Sequence, residues 1–537
     1  MHKVAALFAL SLLAMAGALP VAAQSLPGTL QSIPTVDGYQ LQAYVSVPQG
    51  SGPFPLIVMP SSWGLSYVEY VGEANNLAND GYIVVSYSSR GFSTFCSVTS
   101  SCGYIDIAGP LTVGDVSTVI SWALVNTPAN ANEIGVSGIS YGAGTSLLAA
   151  ENDSRIKAVA SMSTWADLVT SLDANQTPSS QGIFLLSLAS ALGKPGPLMQ
   201  QVNNDVLAAN YDGAVQAVLA DPQTPGRSPV TNVAKLNANG PAVFIANAFE
   251  DSLFPPSQVV DFYNQLTVPK YLMFEHGDHA TDELLGALGF SNDVYAAATE
   301  WFDHYLKGVN NGIDSQPPVQ LKSQTNVWNG YASWNAVEAD AVTYNLTSPN
   351  FNLFTNLTST GSLSTGSGGS WQYTMYGPPT ETTANSGIAL ISGALTQWGA
   401  PITTSLPLVP RTFDTVWTGP RFTQTRYLTG TPYLQITVTP STSNLSLYAY
   451  LYSVNPSTGI AQLMSWKPYT ISGAKPGVPQ TVNIRMEATD WEIDPGQQLA
   501  LVIGSLDLRY DGVTPVGSAI TLSNSTAKPS TLTVSLH

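Results

Sequence analysis

The chain has 537 residues, of which 10% are charged and 44% hydrophobic, with 18 Lys and Arg against 35 Asp and Glu for a formal net charge of −17. So acidic a chain repels phosphate backbones, which argues against a nucleic-acid partner, while its length and apolar content suit two or three packed domains. Five histidines and two cysteines are too few for a multi-histidine metal site, and no metal or other cofactor is expected.

Residues 1–23 read as a secretory signal: Lys3 supplies the positive start, Val4 to Leu19 is nearly all apolar, and Val21-Ala22-Ala23 suits cleavage before Gln24. A secreted or periplasmic location follows as an expectation. No later stretch is long and apolar enough to predict a membrane span. Residues 24–312 alternate strand and helix signals, the grammar of a doubly wound α/β domain. Strands are predicted over Gln40–Val47, Phe54–Met59 and Tyr82–Tyr87, the last two being continuous apolar runs of the kind buried on both faces. Helices are predicted over Val68–Asn79 and Val113–Leu124. Between them lie Cys96 and Cys102 in a polar loop. In an oxidising compartment the two are expected to pair, since two thiols with no adjacent histidine make a poor metal site.

An apolar run then breaks into Gly138-Ile139-Ser140-Tyr141-Gly142 and continues as a small-residue helix. A G-x-S-x-G turn between strand and helix is the nucleophile elbow of an α/β-hydrolase, with Ser140 as nucleophile. The backbone N–H of Tyr141 is one expected oxyanion donor. The second belongs in the loop after the Phe54–Met59 strand, Pro60-Ser61-Ser62-Trp63-Gly64, from the N–H of Ser61 or Ser62. Trp63 is a candidate wall of the acyl pocket.

After a strand at Ile156–Ala160, residues of about 164–238 lose strand signals. They read as a helical cap with helices at Gly182–Leu192, Leu198–Ala208 and Asp212–Leu219. The α/β pattern resumes with strands at Pro241–Ala246 and Lys270–Phe274 and helices at Ser257–Leu266 and Asn292–Val309. A serine nucleophile needs a base that titrates near neutrality. His2 lies in the signal, His304 inside a helix and His537 at the end. That leaves His276 and His279, both just after a strand; His279, in a turn after Gly277-Asp278 and further from the strand, is the preferred base, with His276 the second choice or a pocket-lining residue. The acid must fall between serine and histidine after a strand. Asp251 is the first choice and Glu250 the second, while Asp278 suits loop capping.

From about residue 313 to 537 short alternating strands separated by turn residues predict an all-β, jelly-roll-like sandwich. They fall at Val319–Lys322, Tyr433–Val438, Leu445–Tyr452, Val482–Met486, Leu499–Ile503 and Leu532–Leu536. Thr360–Ser370 reads as a surface loop.

With these residues in place the chain resembles the CocE/NonD α/β-hydrolases, the group of cocaine esterase, α-amino acid ester hydrolases and X-Pro dipeptidyl-peptidases. The likeness rests on Gly138-Ile-Ser-Tyr-Gly142, Arg90-Gly91, Asp115 with Trp122, Trp301-Phe302 with Gly308, Leu428-Thr-Gly-Thr-Pro432, and Leu499–Gly504 ahead of Asp507. It implies an α/β-hydrolase with a helical cap and a C-terminal jelly roll, jointly walling an acyl pocket. It further implies a serine hydrolase acting through an acyl-enzyme on a small ester, amide or short peptide. Three departures stand out. Ser61 follows Pro60 where the family often has a donor tyrosine. Ser88 replaces a common aspartate. Leu253 and Phe254 occupy positions where α-amino ester hydrolases place ammonium-binding carboxylates. The competing reading is a non-catalytic carbohydrate- or surface-binding protein on a hydrolase scaffold, using Trp371, Trp398, Trp417, Trp466 and Trp491.

Overall fold

The computed structural model describes residues 28–352 and 356–537, so the signal segment read over 1–23 lies outside the described residues. The chain divides into two compact units. One takes in the described residues to Ser171 together with Gly182–Gln320, and the other takes in Leu172–Gln181 with Leu321–His537.

The first unit is built on strands β1 (Thr29–Pro34), β2 (Gln40–Ser46), β3 (Phe54–Pro60), β4 (Ile83–Tyr87), β5 (Ala129–Ile139) and β6 (Ile156–Met162). After two short strands of the other unit, β7 (Asp173–Ala174) and β8 (Thr177–Pro178), it continues with β9 (Ala242–Ala248) and β10 (Lys270–Glu275). The strands of the first unit run β1-β2-β4-β3-β5-β6-β9-β10, with β1 and β2 antiparallel and the rest parallel. The apolar runs behave as parallel strands covered on both faces: Leu56, Ile57, Val58, Met59, Ile83, Val84 and Val85 are all fully buried. The Asp293–Lys307 helix packs Trp301, Phe302 and Leu306 inward. A Cβ on Gly135 of β5 would sit 2.8 Å from the Phe302 ring, so that glycine sets how closely the helix approaches. β1 carries no clear alternation in sequence; its pairing with β2 makes it a strand.

The cap region contains the expected helices, Ser180–Ser190, Pro197–Leu207 and Tyr211–Ala220. It also contains a strand pair that its sequence does not predict: β7 and β8 form a hairpin, Asp173 opposite Pro178 and Ala174 opposite Thr177. The turn residues Asn175 and Gln176 both have left-handed φ, 51° and 59°, the geometry of a tight two-residue hairpin turn. Strands of two residues are too short to show alternation. This hairpin belongs to the second unit, where Thr470 N–H donates to Asn175 O and Asn175 Nδ2 donates to Pro468 O.

The second unit is all-β beyond short helical turns. Its longest strands are Arg426–Pro440, Leu445–Val454 and Ile460–Ile471, and the last two pair antiparallel. Inward-facing Leu428, Leu434, Ile436, Val438, Leu447, Leu451, Trp417 and Trp491 form one buried core. The predicted loop at Thr360–Ser370 needs correction at its start. Residues 360–364 extend the Asn356–Ser364 strand, because Gly361 pairs with Trp417 and Leu363 is buried. Of the five tryptophans that the binding reading uses, Trp371, Trp417, Trp466 and Trp491 are buried, and Trp398 is 77% exposed. Among the described residues no helix is long and apolar enough to cross a membrane.

Candidate active site

Ser140 sits between β5 and the Tyr141–Asn152 helix with φ 56° and ψ −117°, a conformation that costs a non-glycine residue free energy. Crowding holds it there. A Cβ on Gly142 would lie 2.1 Å from Pro60 O, and one on Gly138 would lie 2.6 Å from the Gly142 carbonyl carbon. Both flanking positions therefore require glycine. The turn is braced from outside: Tyr70 Oη accepts from Ile139 N–H at 2.8 Å, and Ser140 N–H donates to Met162 O at 2.9 Å.

His279 lies in the loop after β10 and Asp251 in the loop after β9, neighbouring parallel strands whose ends open toward one another. His279 Nε2 is 2.7 Å from Ser140 Oγ, and His279 Nδ1 is 2.9 Å from Asp251 Oδ2. Asp251 is fully buried, and its Oδ1 accepts from the N–H groups of Leu253 and Phe254 at 2.9 and 2.7 Å. Asp278 ties the two loops together, Oδ1 accepting from both Ser252 N–H and His279 N–H. Burial works against a charged His279 imidazole. The charge and hydrogen bond of Asp251, with the charges of Glu283 and Asp278, outweigh burial and raise the imidazole above its ordinary range. The arrangement can take a proton from Ser140 and hold it on a flanked imidazolium.

Glu250 makes a separate pair: its Oε1 lies 2.7 Å from His276 Nδ1, and its Oε2 accepts from Gly277 N–H. Neither residue enters the chain through Ser140.

Ser61 does not have the role expected of it. Its N–H donates to Tyr87 O at 2.9 Å, its hydroxyl is bonded to Leu65 O and Ser89 N–H, and the residue is fully buried. The alternative donor, Ser62 N–H, is held by Glu69 Oε1 at 2.6 Å, while Ser62 Oγ donates to Ile139 O. Glu69 is half-buried as a residue but its carboxyl is enclosed, which pushes it up to about 8. Trp63 is next along, and its backbone N–H has no partner among the described residues. Its ring is 5.0 Å from that of Tyr141 and 4.7 Å from Phe92, and its Nε1 donates to Leu186 O of the cap. Phe254 stands 5.0 Å from the His279 ring and 5.3 Å from Trp165, so aromatic rings line both sides of the elbow.

Cys96 and Cys102 form a disulfide. Arg90 grips Asp115 through Nε and Nη2 at 2.6 and 2.5 Å and reaches Asp37 with Nη1, a buried clasp between β4 and the Pro110–Asn126 helix. Sequence reasoning missed Glu69, Tyr70, Ser163 and Glu283. For Glu69 the available signal was scarcity: with one residue in ten charged, an acid inside Tyr67-Val68-Glu69-Tyr70-Val71 is conspicuous.

The family model described as "X-Pro dipeptidyl-peptidase (S15 family)" matches residues 37–281. A second, described as "X-Pro dipeptidyl-peptidase C-terminal non-catalytic domain", matches residues 311–535. Among solved structures, an aminopeptidase from the marine sediment archaeon Thaumarchaeota archaeon is similar at a TM-score of 0.71 and 15% identity, covering 96% of this chain and 98% of that one. A CocE/NonD family hydrolase from Staphylococcus aureus gives 0.70 at 13% identity, covering 95% and 93%. An α-amino acid ester hydrolase gives 0.66 at 16% identity, covering 97% and 98%.

Proposed function

We propose, on the premise that this chain belongs to the X-Pro dipeptidyl-peptidase (S15)-type, CocE/NonD-like α/β-hydrolases, that Ser140 is its nucleophile and that it works through an acyl-enzyme. The observation that carries this reading is the unbroken chain from Ser140 Oγ to His279 Nε2 and from His279 Nδ1 to Asp251. His279 takes the hydroxyl proton as Ser140 attacks the substrate carbonyl, then returns it to the leaving alcohol or amine. Water, activated by the same imidazole, releases the acid. Asp251 holds the tautomer with the proton on Nδ1. The N–H groups of Tyr141 and Trp63 receive the oxyanion, with Trp63 taking the place first given to Ser61.

The substrate is an ester, amide or short peptide whose acyl part is apolar. Trp63, Phe92 and Phe254 stand about the elbow, and Leu253 and Phe254 offer no carboxylate to a substrate ammonium. Secretion or periplasmic export is part of the same proposal, supported by the signal-like residues 1–23 and the Cys96–Cys102 disulfide. N-terminal sequencing of exported protein should begin at Gln24. The binding-protein alternative loses weight because four of its five tryptophans are core residues. The test is fluorophosphonate labelling of the parent chain and Ser140→Ala, run beside turnover of p-nitrophenyl esters and Gly-Pro-p-nitroanilide. Labelling that survives Ser140→Ala, or turnover of neither substrate class, overturns the proposal.

A further inference from the structure

Glu283 is fully buried five residues beyond Asp278, yet no step above uses it. Both its carboxyl oxygens lie 3.1 Å from Ser163 Oγ, and Ser163 Oγ in turn accepts from Ala280 N–H at 2.9 Å. Ala280 directly follows His279. Ala280 and Ser163 are both non-glycine residues in left-handed conformation, φ 64° and 48°. Two strained backbones facing each other, joined by one buried hydroxyl and one buried acid, form a clamp between the end of β6 and the histidine loop.

We propose that Glu283 is a positioning residue for His279: through Ser163 it anchors the strained Ala280, and it sets a carboxyl beside the imidazole. The inference rests on the nucleophile reading of Ser140. Without the clamp the loop relaxes toward ordinary φ, and Nε2 leaves the 2.7 Å approach to Ser140. The groups facing Glu283 are His279 and Glu275, from β10 and its loop, and Tyr295 from the Asp293–Lys307 helix. Tyr295 also feels Tyr70, Glu73 and Glu69, and His279 feels Asp251 and Asp278. Burial pushes the Glu283 carboxyl up to about 8, the His279 charge opposing and Glu275 adding to the rise. Glutamine is the isostere of the protonated acid and still accepts from Ser163.

The experiment compares the full-length parent with Glu283→Gln, Glu283→Ala and Ser163→Gly. It measures the fluorophosphonate labelling rate, kcat and KM on p-nitrophenyl acetate, and the pH profile, with thermal melts to establish folding. Glycine suits the left-handed backbone at 163 and removes the whole hydroxymethyl side chain, so it serves if Glu283→Ala does not fold. Folded Glu283→Ala and Ser163→Gly should lose roughly 10- to 100-fold in kcat and labelling rate with little change in KM. Glu283→Gln should keep close to parental activity at pH 7 and depart from the parent profile above about pH 8, where only the parent gains a charge. Parental labelling rates in folded Glu283→Ala or Ser163→Gly, or superimposable pH profiles of parent and Glu283→Gln, overturn the inference. An unlabelled parent sinks the Ser140 reading instead, so the two failures are distinguishable.

Discussion

Replacing Asp251 by asparagine tests the proposed proton path with almost no change of shape. Asp251 Oδ1 receives two backbone N–H groups, from Leu253 and Phe254, and Oδ2 faces His279 Nδ1. An asparagine must turn its carbonyl oxygen toward those two donors, since an NH2 there would leave three buried donors opposed. Its NH2 then faces Nδ1 and makes that nitrogen an acceptor. The imidazole proton moves to Nε2, 2.7 Å from Ser140 Oγ, where an acceptor is needed. A tautomer inverted in this way costs on the order of 10⁴ in kcat, about 5.4 kcal/mol of transition-state stabilisation at 1.36 kcal/mol per tenfold. The assay is p-nitrophenyl ester turnover with active-site titration by fluorophosphonate, beside Glu250→Gln as the control that breaks only the His276 pair. A loss below about tenfold in Asp251→Asn, or a larger loss in Glu250→Gln, would refute the assignment of the acid.

Other outcomes follow from the same geometry. Because His279 must be neutral to accept the Ser140 proton and its imidazole is held above the ordinary range, the ascending limb of kcat/KM should lie above about pH 6.5; it should move down when Asp251 loses its charge. Glu69→Ala should strand the Ser62 N–H, costing about 1–3 kcal/mol in a denaturant melt, and should slow acylation by loosening the loop that carries Trp63. An unchanged melt and rate would mean the loop holds itself. A truncate of residues 24–311 strips the β7–β8 hairpin of its second-unit partners Pro468, Thr470 and Asp511. It should aggregate or be inactive, and a monodisperse truncate with full esterase activity on gel filtration would contradict this.

Much of the first unit was legible because its signals are local. Buried parallel strands are written as unbroken apolar runs such as Leu56–Met59, and a turn needing left-handed backbone with no room for Cβ is written as glycine around Ser140. Scarcity also helped: few histidines follow a strand, so elimination left His276 and His279, and the Gly277-Asp278 turn favoured the latter. The β7–β8 hairpin escaped because two-residue strands have no periodicity, and β1 because its partner supplies the reason for its conformation.

What sequence alone determined, then, is the succession of elements and the candidates Ser140, Asp251 and His279, since backbone preference and residue chemistry are properties of a short stretch. What only the tertiary structure decided is which polar groups are already spent. Ser61 and Ser62 look equally fit to donate until Tyr87 O and Glu69 are found on their N–H groups, partners 26 and 7 residues away in the chain. Glu250 and Asp251 are adjacent, yet successive side chains in a turn diverge, one meeting His276 and the other His279. Glu283 and Ser163 stand 120 residues apart and meet only because β6 and the histidine loop share one end of the sheet. A hydrogen bond saturates its partners, and that exclusivity depends on position in space, which no local pattern records.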